Sequence, residues 1–469
     1  MTGKIEASAK PNASALPPQT HKVGCAIRCG EFARAGGEKN SFTVPIGPIH
    51  PALKEPIQLT CEIEGEKVVD VDIKMSQVHR GIEWAGTRRN CVQIVYLAER
   101  ICGICSASHP SAFCIAAEDA ANIEVPARAD YIRVINAELE RIHSHILWAG
   151  VAAHEIGFDS LLHLSWKMRE HVMDTIEYIT GNRVTKAMLM VGGVRRDITE
   201  KQAPRIKESM KYYLDNFQKL GDLFLKDPSI KARTQGVGVL TKEDALKLCA
   251  VGPTARASGV AKDVRVDYPY MAYGDLDILP ITPDLLTGKI NGDVYDRVIV
   301  RLLEVKQSVE IIQDCLKQMP KGKLMTQENI PALLAQLRAV EGEGIGRCEA
   351  PRGEVFHYVK LKANQDEPHF WKVRAPTYNN LLPWIPMLKD AQIADIPIVA
   401  ASTDPCMACA NRSIITDTNK ILDTEQLHEL SVKKTEEIRN NTQALNSGSA
   451  RVNFEAATVK GGELLRNDL

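Results

Sequence analysis

The sequence carries almost no net charge: 58 Lys and Arg stand against 59 Asp and Glu, a balance of -1 at neutral pH. Such a chain raises no long-range field, which excludes a protein that gathers nucleic acid or anionic lipid by electrostatics alone. It also lacks a run of about 18 apolar residues, the length a membrane-spanning helix needs. The opening MTGKIEASAKPNASALPPQTHK has no apolar stretch like that of a secretory leader, so the expectation is a cytoplasmic chain that is neither exported nor threaded through a bilayer. No internal repeat is visible, and no ferredoxin-like run of four close cysteines occurs. Apolar residues are plentiful at 44%, enough in 469 residues to bury a large core without help.

The chain has twelve cysteines. In a cytosolic protein thiols stay reduced, so cysteines in this number suggest metal or redox use rather than disulfides. Cys61, Cys114, Cys249 and Cys315 lie singly on apolar stretches and read as small core hydrophobes. Cys25 and Cys29 in GCAIRCG are spaced to share a helical face or clasp a metal, but no second pair lies near them and no ligand role is assigned.

Two C-x-x-C hooks differ from the rest: Cys102 and Cys105 in ERICGICSASHP, and Cys406 and Cys409 in DPCMACANR. Four thiolates on two hooks ordinarily suggest a structural zinc cage. Zinc ribbons, however, keep their hooks within about 15–20 residues in polar, loop-rich sequence. These hooks lie about 300 residues apart beside the apolar segments IVYLAERI and IPIVAAST. Gly103 and Pro405 mark both as backbone turns that aim their thiols at something.

Residues 1–40, rich in Ala, Pro, Gly and Lys without a sustained period, read as an N-terminal arm. A β unit is expected over 41–80. Ile57, Leu59, Cys61 and Ile63 alternate along one strand, and after a turn at Gly65 so do Val69, Val71, Ile73 and Met75. From Pro126 the spacing becomes helical, with long helices to Gly181 and more at 201–225, 242–250, 292–318 and 327–340; VGGVRRD and VGPTARASG read as glycine-bearing loops. A second hairpin over 353–377 should bring Arg352 and Thr377 beside each other. The fold expected is α+β: a helical catalytic domain over 81–412, with residues 413–469 as a C-terminal extension whose first half reads as a short strand and an amphipathic helix.

At the two hooks the chain resembles the large, catalytic subunit of nickel–iron hydrogenases. RICGICSASH and DPCMACANR match its two signature segments, and GPIHPA, HRGIEWAGTRRN, LERIHSHI, GNRV, GGVRRD and EAPRGE agree with it. Arg412 after DPCxxC, where other branches have histidine, resembles the membrane-anchored energy-converting branch. That branch is related to the quinone-site subunit of respiratory complex I, which lacks the cysteines.

The resemblance implies a nickel–iron centre with one CO and two cyanides on iron. Cys102 and Cys406 would end on nickel, and Cys105 and Cys409 would bridge both metals, a set suited to soft thiolate chemistry. It further implies Arg352 and Thr377 as donors to the cyanides, with Ala350, Pro351 and Pro376 as apolar wall. Cys409 would take the first proton and Glu55 beside it would relay it. His50 and His109 are candidate hydrogen bonders near the metal or simply structural histidines, and Glu83 is a candidate partner for Arg88 or Arg89.

The function implied is H2 oxidation or proton reduction at the cytoplasmic face of the membrane. Implied partners are a small subunit carrying an iron–sulfur cluster, a ferredoxin-type iron–sulfur subunit, integral membrane subunits that move ions, and a maturation protease cutting after Arg412. The alternatives are a complex-I-like subunit acting on quinone or sulfur compounds, and a non-catalytic assembly subunit.

Overall fold

A computed structural model describes residues 41–410 except 52 and 76, together with 429, 432–433, 435–437 and 439–440. The N-terminal arm, Cys25, Cys29, Arg412 and most of the C-terminal extension lie outside these residues. Those described between 429 and 440 are helical, as the amphipathic pattern there predicts.

Strands β1 (Ser41–Ile46), β2 (Gln58–Glu64) and β3 (Lys67–Lys74) form an antiparallel sheet in that order. Leu59, Cys61 and Ile63 face the core, opposite Ile73, Val71 and Val68. The expected inward residue Val69 is only half-buried. A register shift at Glu62/Ile63 turns Val68 inward instead, the usual effect of one extra residue on a period-two pattern.

Helices α1 (Ile82–Gly86), α2 (Cys91–Ala98) and α3 (Ser108–Ala121) lead into the bundle. Its axis is α4 (Ala127–Glu155), packed along α5 (Asp159–Thr180) and α12 (Val294–Gln318), with α6 (Ala203–Lys226) outside. A two-residue ladder pairs β4 (Leu189–Met190), just before VGGVRRD, with β5 (Gly193–Val194) within it. Short helices α7 (Pro228–Thr234), α8 (Lys242–Lys247), α9 (Gly252–Ala257), α10 (Val264–Asp267) and α11 (Asp284–Thr287) connect α6 to α12. Thus VGPTARASG is largely helix α9 rather than loop, and Cys249 just before it is exposed rather than core. Cys61, Cys114 and Cys315 are buried as expected.

After α13 (Ile330–Arg338) comes an antiparallel sheet of β6 (Gly342–Ala350), β7 (Gly353–Leu361) and β8 (Phe370–Arg374). The hairpin expected at 353–377 is its β7–β8 half; β6 is an addition. Gly342, Gly344 and Gly346 lie on the face of β6 that meets α3. A Cβ at these positions would fall 2.3, 2.0 and 1.8 Å from the carbonyl oxygens of Ala120, Ala116 and Ala112. Glycine at every second strand position therefore meets alanine at every fourth helix position, and the backbones touch. The chain closes with α14 (Pro376–Asn380), α15 (Trp384–Leu388), α16 (Ile396–Ser402) and α17 (Met407–Ala410).

Helix α4 is buried almost all round, although it carries Arg133, Glu138, Glu140, Arg141, His143, Ser144 and His145. Burying such groups is tolerable only when they are paired. Glu138 accepts from Tyr273 Oη at 2.6 Å and Ser308 Oγ at 2.6 Å, and lies 3.2 Å from Arg265 Nη1. Arg256 similarly bridges Glu304 at 2.7 Å and Glu349 at 2.8 Å. Among the described residues no helix is long and apolar enough to cross a membrane.

Candidate metal centre

The first hook occupies the turn between α2 and α3. The amide of Cys105 donates to Cys102 Sγ at 3.3 Å. Glu140, reaching in from α4, accepts from the Ala107 amide, the Ser108 amide at 3.0 Å and the Ser108 hydroxyl. A buried carboxylate therefore caps α3 and fixes the turn that carries both thiols.

The second hook follows α16. Asp404 adopts φ 54°, a left-handed conformation that reverses the chain just before Pro405. Thr377 at the start of α14 accepts from the Cys406 amide at 3.1 Å, leaving its own hydroxyl proton to donate. Arg352, in the β6–β7 turn, donates from Nε to the Asp404 carbonyl at 2.7 Å and from Nη2 to its carboxylate at 2.9 Å. Its Nη1 lies 3.2 Å from Cys105 Sγ, so one guanidinium ties the two hooks together. Arg352 and Thr377 thus converge on the Asp404–Cys406 turn, the juxtaposition expected of the hairpin. Arg80 adds a tie from outside, donating to Ile101 O at 2.6 Å and Ala408 O at 3.3 Å.

The hooks meet. Cys406 Sγ lies 3.3 Å from Cys102 Sγ and 3.1 Å from Cys409 Sγ, and these three sulfurs all fall within 4.8 Å of one another. Cys105 stands outside that group of three, its sulfur held against Arg352 Nη1. All four are buried free thiols, well beyond the ~2.05 Å of a disulfide. Hydrogen bonds from Cys105, Cys406 and Cys409 hold the Cys102 thiol well below its usual range. The bond to Cys102 pushes Cys105 and Cys406 up, and burial does the same to Cys409. A thiolate sharing protons with three thiols in a dry pocket is a donor set that soft metals fit.

Ala350, Pro351 and Pro376, the residues expected as apolar wall, are buried. Glu55 is where sequence placed it in the fold but beside a different sulfur. Its Oε2 accepts from the Met407 amide and, at 3.2 Å, the Ala408 amide; its Oε1 lies 3.9 Å from Cys406 Sγ. The carboxylate was expected beside Cys409, yet the two free amides opening α17 draw it to the start of the hook, where Cys406 stands. Burial, and then the charge on Cys102, raise its pKa, against the lowering effect of the two amides. Outward from it runs a cleft lined by Leu53, Lys54, Trp384 and Met407.

His109 belongs to the site: Nε2 lies 3.4 Å from Cys409 Sγ. His50 is exposed, in the loop before Glu55. Glu83 accepts from Lys372 Nζ and from the Val373 amide, both at 2.9 Å, so it reaches across to β8. Arg88 stacks over Trp84 at 3.8 Å and Arg89 donates to the Ala85 carbonyl at 2.7 Å. Sequence reasoning missed Asp404 as the anchor of Arg352, Glu140 as the cap of the first hook, and His357 behind His109. Asp404 had a usable signal, an acid directly before Pro405 and the cysteine hook; the other two had none.

Residues 155–412 match the family described as the 49 kDa subunit of respiratory-chain NADH dehydrogenase, and residues 80–149 match the nickel-dependent hydrogenases. The chain is 48% identical to membrane-bound hydrogenase subunit alpha of Pyrococcus furiosus over 404 residues, 85% of this chain and 95% of that one. It is 39% identical to the carbon monoxide-induced hydrogenase of Rhodospirillum rubrum over 381 residues, 80% of this chain and all of the relative. A chain in the solved structure of the membrane-bound sulfane sulfur reductase, an archaeal respiratory membrane complex, superposes with a TM-score of 0.72 at 28% identity, covering 79% of this chain and 98% of that one. The chain belongs to the family of nickel-dependent hydrogenase catalytic subunits that share their scaffold with the 49 kDa subunit of respiratory-chain NADH dehydrogenase.

Proposed function

We propose that the four cysteines would hold a nickel–iron centre supplying the interconversion of H2 with protons and electrons, Cys102 and Cys406 as the ligands that would end on nickel and Cys105 and Cys409 as those that would bridge both metals. The observation that carries this reading is the meeting of two hooks, about 300 residues apart in sequence, with Cys406 Sγ 3.3 Å from Cys102 Sγ in a buried pocket. When bound, such a centre would supply the heterolytic cleavage of H2.

The protein's residues handle the proton. Cys406 Sγ lies 3.9 Å from Glu55 Oε1, so the proton passes from Cys406 to Glu55 Oε1 and outward along the cleft past Lys54. Burial raises Glu55 toward the range in which a carboxyl both accepts and releases protons. Arg352 and the Thr377 hydroxyl would serve as donors to the cyanides, while Ala350, Pro351 and Pro376 would keep water away.

Electrons leave through a docked small subunit carrying an iron–sulfur cluster and pass to or from a ferredoxin-type subunit. Integral membrane subunits hold the complex to the cytoplasmic face and move ions. A protease removes the extension after Arg412 once nickel is loaded. The Pyrococcus furiosus relative and the sulfane sulfur reductase bear the names of membrane-bound enzymes, which supports peripheral attachment to a membrane complex.

Metal analysis of the purified subunit tests this. Equimolar nickel and iron with infrared bands of CO and cyanide are expected; absence of nickel would favour the complex-I-like reading, to which the sulfane sulfur reductase likeness points.

A further inference from the structure

Behind Cys409 stands a line of buried polar rings that the function above leaves unused. His109, in the first turn of α3, places Nε2 3.4 Å from Cys409 Sγ and Nδ1 3.2 Å from Nε2 of His357. His357 on β7 has its Nδ1 3.2 Å from Nε1 of Trp371 on β8. Pairing of Val359 with Trp371 and of His357 with Val373 puts His357 and Trp371 diagonally on one face of the sheet. That face packs against α3. Both histidines are 0% exposed and Trp371 is 1% exposed.

The order of donors follows from the end of the line. An indole nitrogen donates and cannot accept. Trp371 therefore gives its proton to His357 Nδ1, and a neutral His357 must carry its own proton on Nε2. That proton points at His109 Nδ1, which becomes the acceptor and leaves the His109 proton on Nε2, aimed at the sulfur of Cys409. Reversing any member would set two lone pairs or two protons against each other in a dry interior, which burial penalises.

We infer that Trp371 and His357 are positioning residues: through His109 they hold one hydrogen bond permanently donated to the bridging sulfur of Cys409. Which sulfur is bridging rests on the nickel–iron reading; the tautomers do not. A hydrogen bond to a thiolate draws electron density from it, and its loss returns that density to the metals. Second partners of metal ligands commonly tune a centre in this way.

Two measurements on the purified complex test the inference. Magic-angle-spinning NMR of 15N-histidine-labelled protein reads the tautomers directly, with His109 and His357 signals assigned by their loss in the Gln variants. A protonated Nε2 and bare Nδ1 are expected for both; a protonated Nδ1 on His109 overturns the inference, whatever metal is present.

In the infrared, Trp371→Phe should move the CO band to lower wavenumber or split it, because His357 is released to both tautomers. His357→Leu should shift it fully. His357→Gln should restore the wild-type band, since a side-chain amide can still donate to His109 Nδ1. Equal bands in His357→Leu and His357→Gln, at unchanged metal content, would reduce the line to packing and overturn the inference. Absence of CO and cyanide bands in the wild type would overturn the nickel–iron reading alone, leaving the tautomer measurement decisive.

Discussion

Glu55 lies against Cys406, with Oε1 3.9 Å from the sulfur and Oε2 held by the amides of Met407 and Ala408. The carboxylate is thus fixed at one oxygen and available at the other. The amides favour its charged form while burial and the Cys102 charge oppose that form, so neither protonation state is locked.

Glu55→Gln keeps shape and hydrogen bonding but cannot release a proton. H2 turnover should fall by about 10²–10⁴-fold, the usual worth of a positioned acid–base group. Nickel, iron and the infrared bands should persist. Wild-type turnover in this variant would move the proton path away from Cys406.

Cys409→Ser and Cys105→Ser replace a soft bridging donor with a hard one, and the assembled centre should be lost. Elemental analysis reads this directly. Full nickel content in either variant would sink the bridging assignment.

Gly346→Ala tests the close contact of sheet and helix. The added carbon would fall 1.8 Å from the Ala112 carbonyl, so β6 must move off α3, at a cost of at least ~1–3 kcal/mol. Gly65→Ala is the control: at φ 64° with open space around it, only backbone strain of about 1 kcal/mol applies. Chemical denaturation midpoints compare the two, and equal losses would contradict the packing argument.

These positions show why the sequence was legible in some places and silent in others. The cysteine hooks were readable because thiols at fixed spacing beside turn residues have few other uses, and α5 and α6 because one face of each is wet. Helix α3 is buried on nearly every side, so no amphipathic period marks it. Glycines that let β6 approach α3 resemble loop glycines until the partner helix is known. His357 alternates with Val355 and Val359 like any inward strand residue, and its bonds to His109 and Trp371 exist only in three dimensions. The shift from Val69 to Val68 came from a bulge, which the alternation alone does not announce.

Asp130 provides a stability test away from the metal. Burial and, less strongly, Glu118 push its pKa from 3.8 up to about 6, against the lowering effect of Arg133. A carboxyl raised in the folded state favours folding when protonated. Its contribution is fully present below about pH 4 and lost as pH rises through 6. The shift corresponds to roughly 2–3 kcal/mol. Asp130→Asn should therefore be more stable relative to wild type at pH 8 than at pH 4. A difference between the two proteins that stays flat over this range would refute the desolvation argument.

Arg352 holds the two hooks in register, and Arg352→Lys separates charge from geometry. The guanidinium uses Nε and Nη2 on Asp404 and Nη1 on Cys105, at 2.7, 2.9 and 3.2 Å. A lysine ammonium is a single point that cannot span all three acceptors. Asp404 is buried, and its pKa is already raised by desolvation against the opposing pull of Arg352 and Arg301. Weakening its main partner should cost about 3–5 kcal/mol if the pair is fully broken and less if lysine keeps one contact. Asp404→Asn removes the buried charge as well, so the double variant should lose less than the sum of the single losses. In the loaded enzyme Arg352→Lys should shift the cyanide bands and retain partial turnover. Thermal denaturation of all four proteins checks the coupling: strict additivity would mean that the Arg352–Asp404 pair does not hold the second hook, and that Thr377 and Glu55 fix it instead.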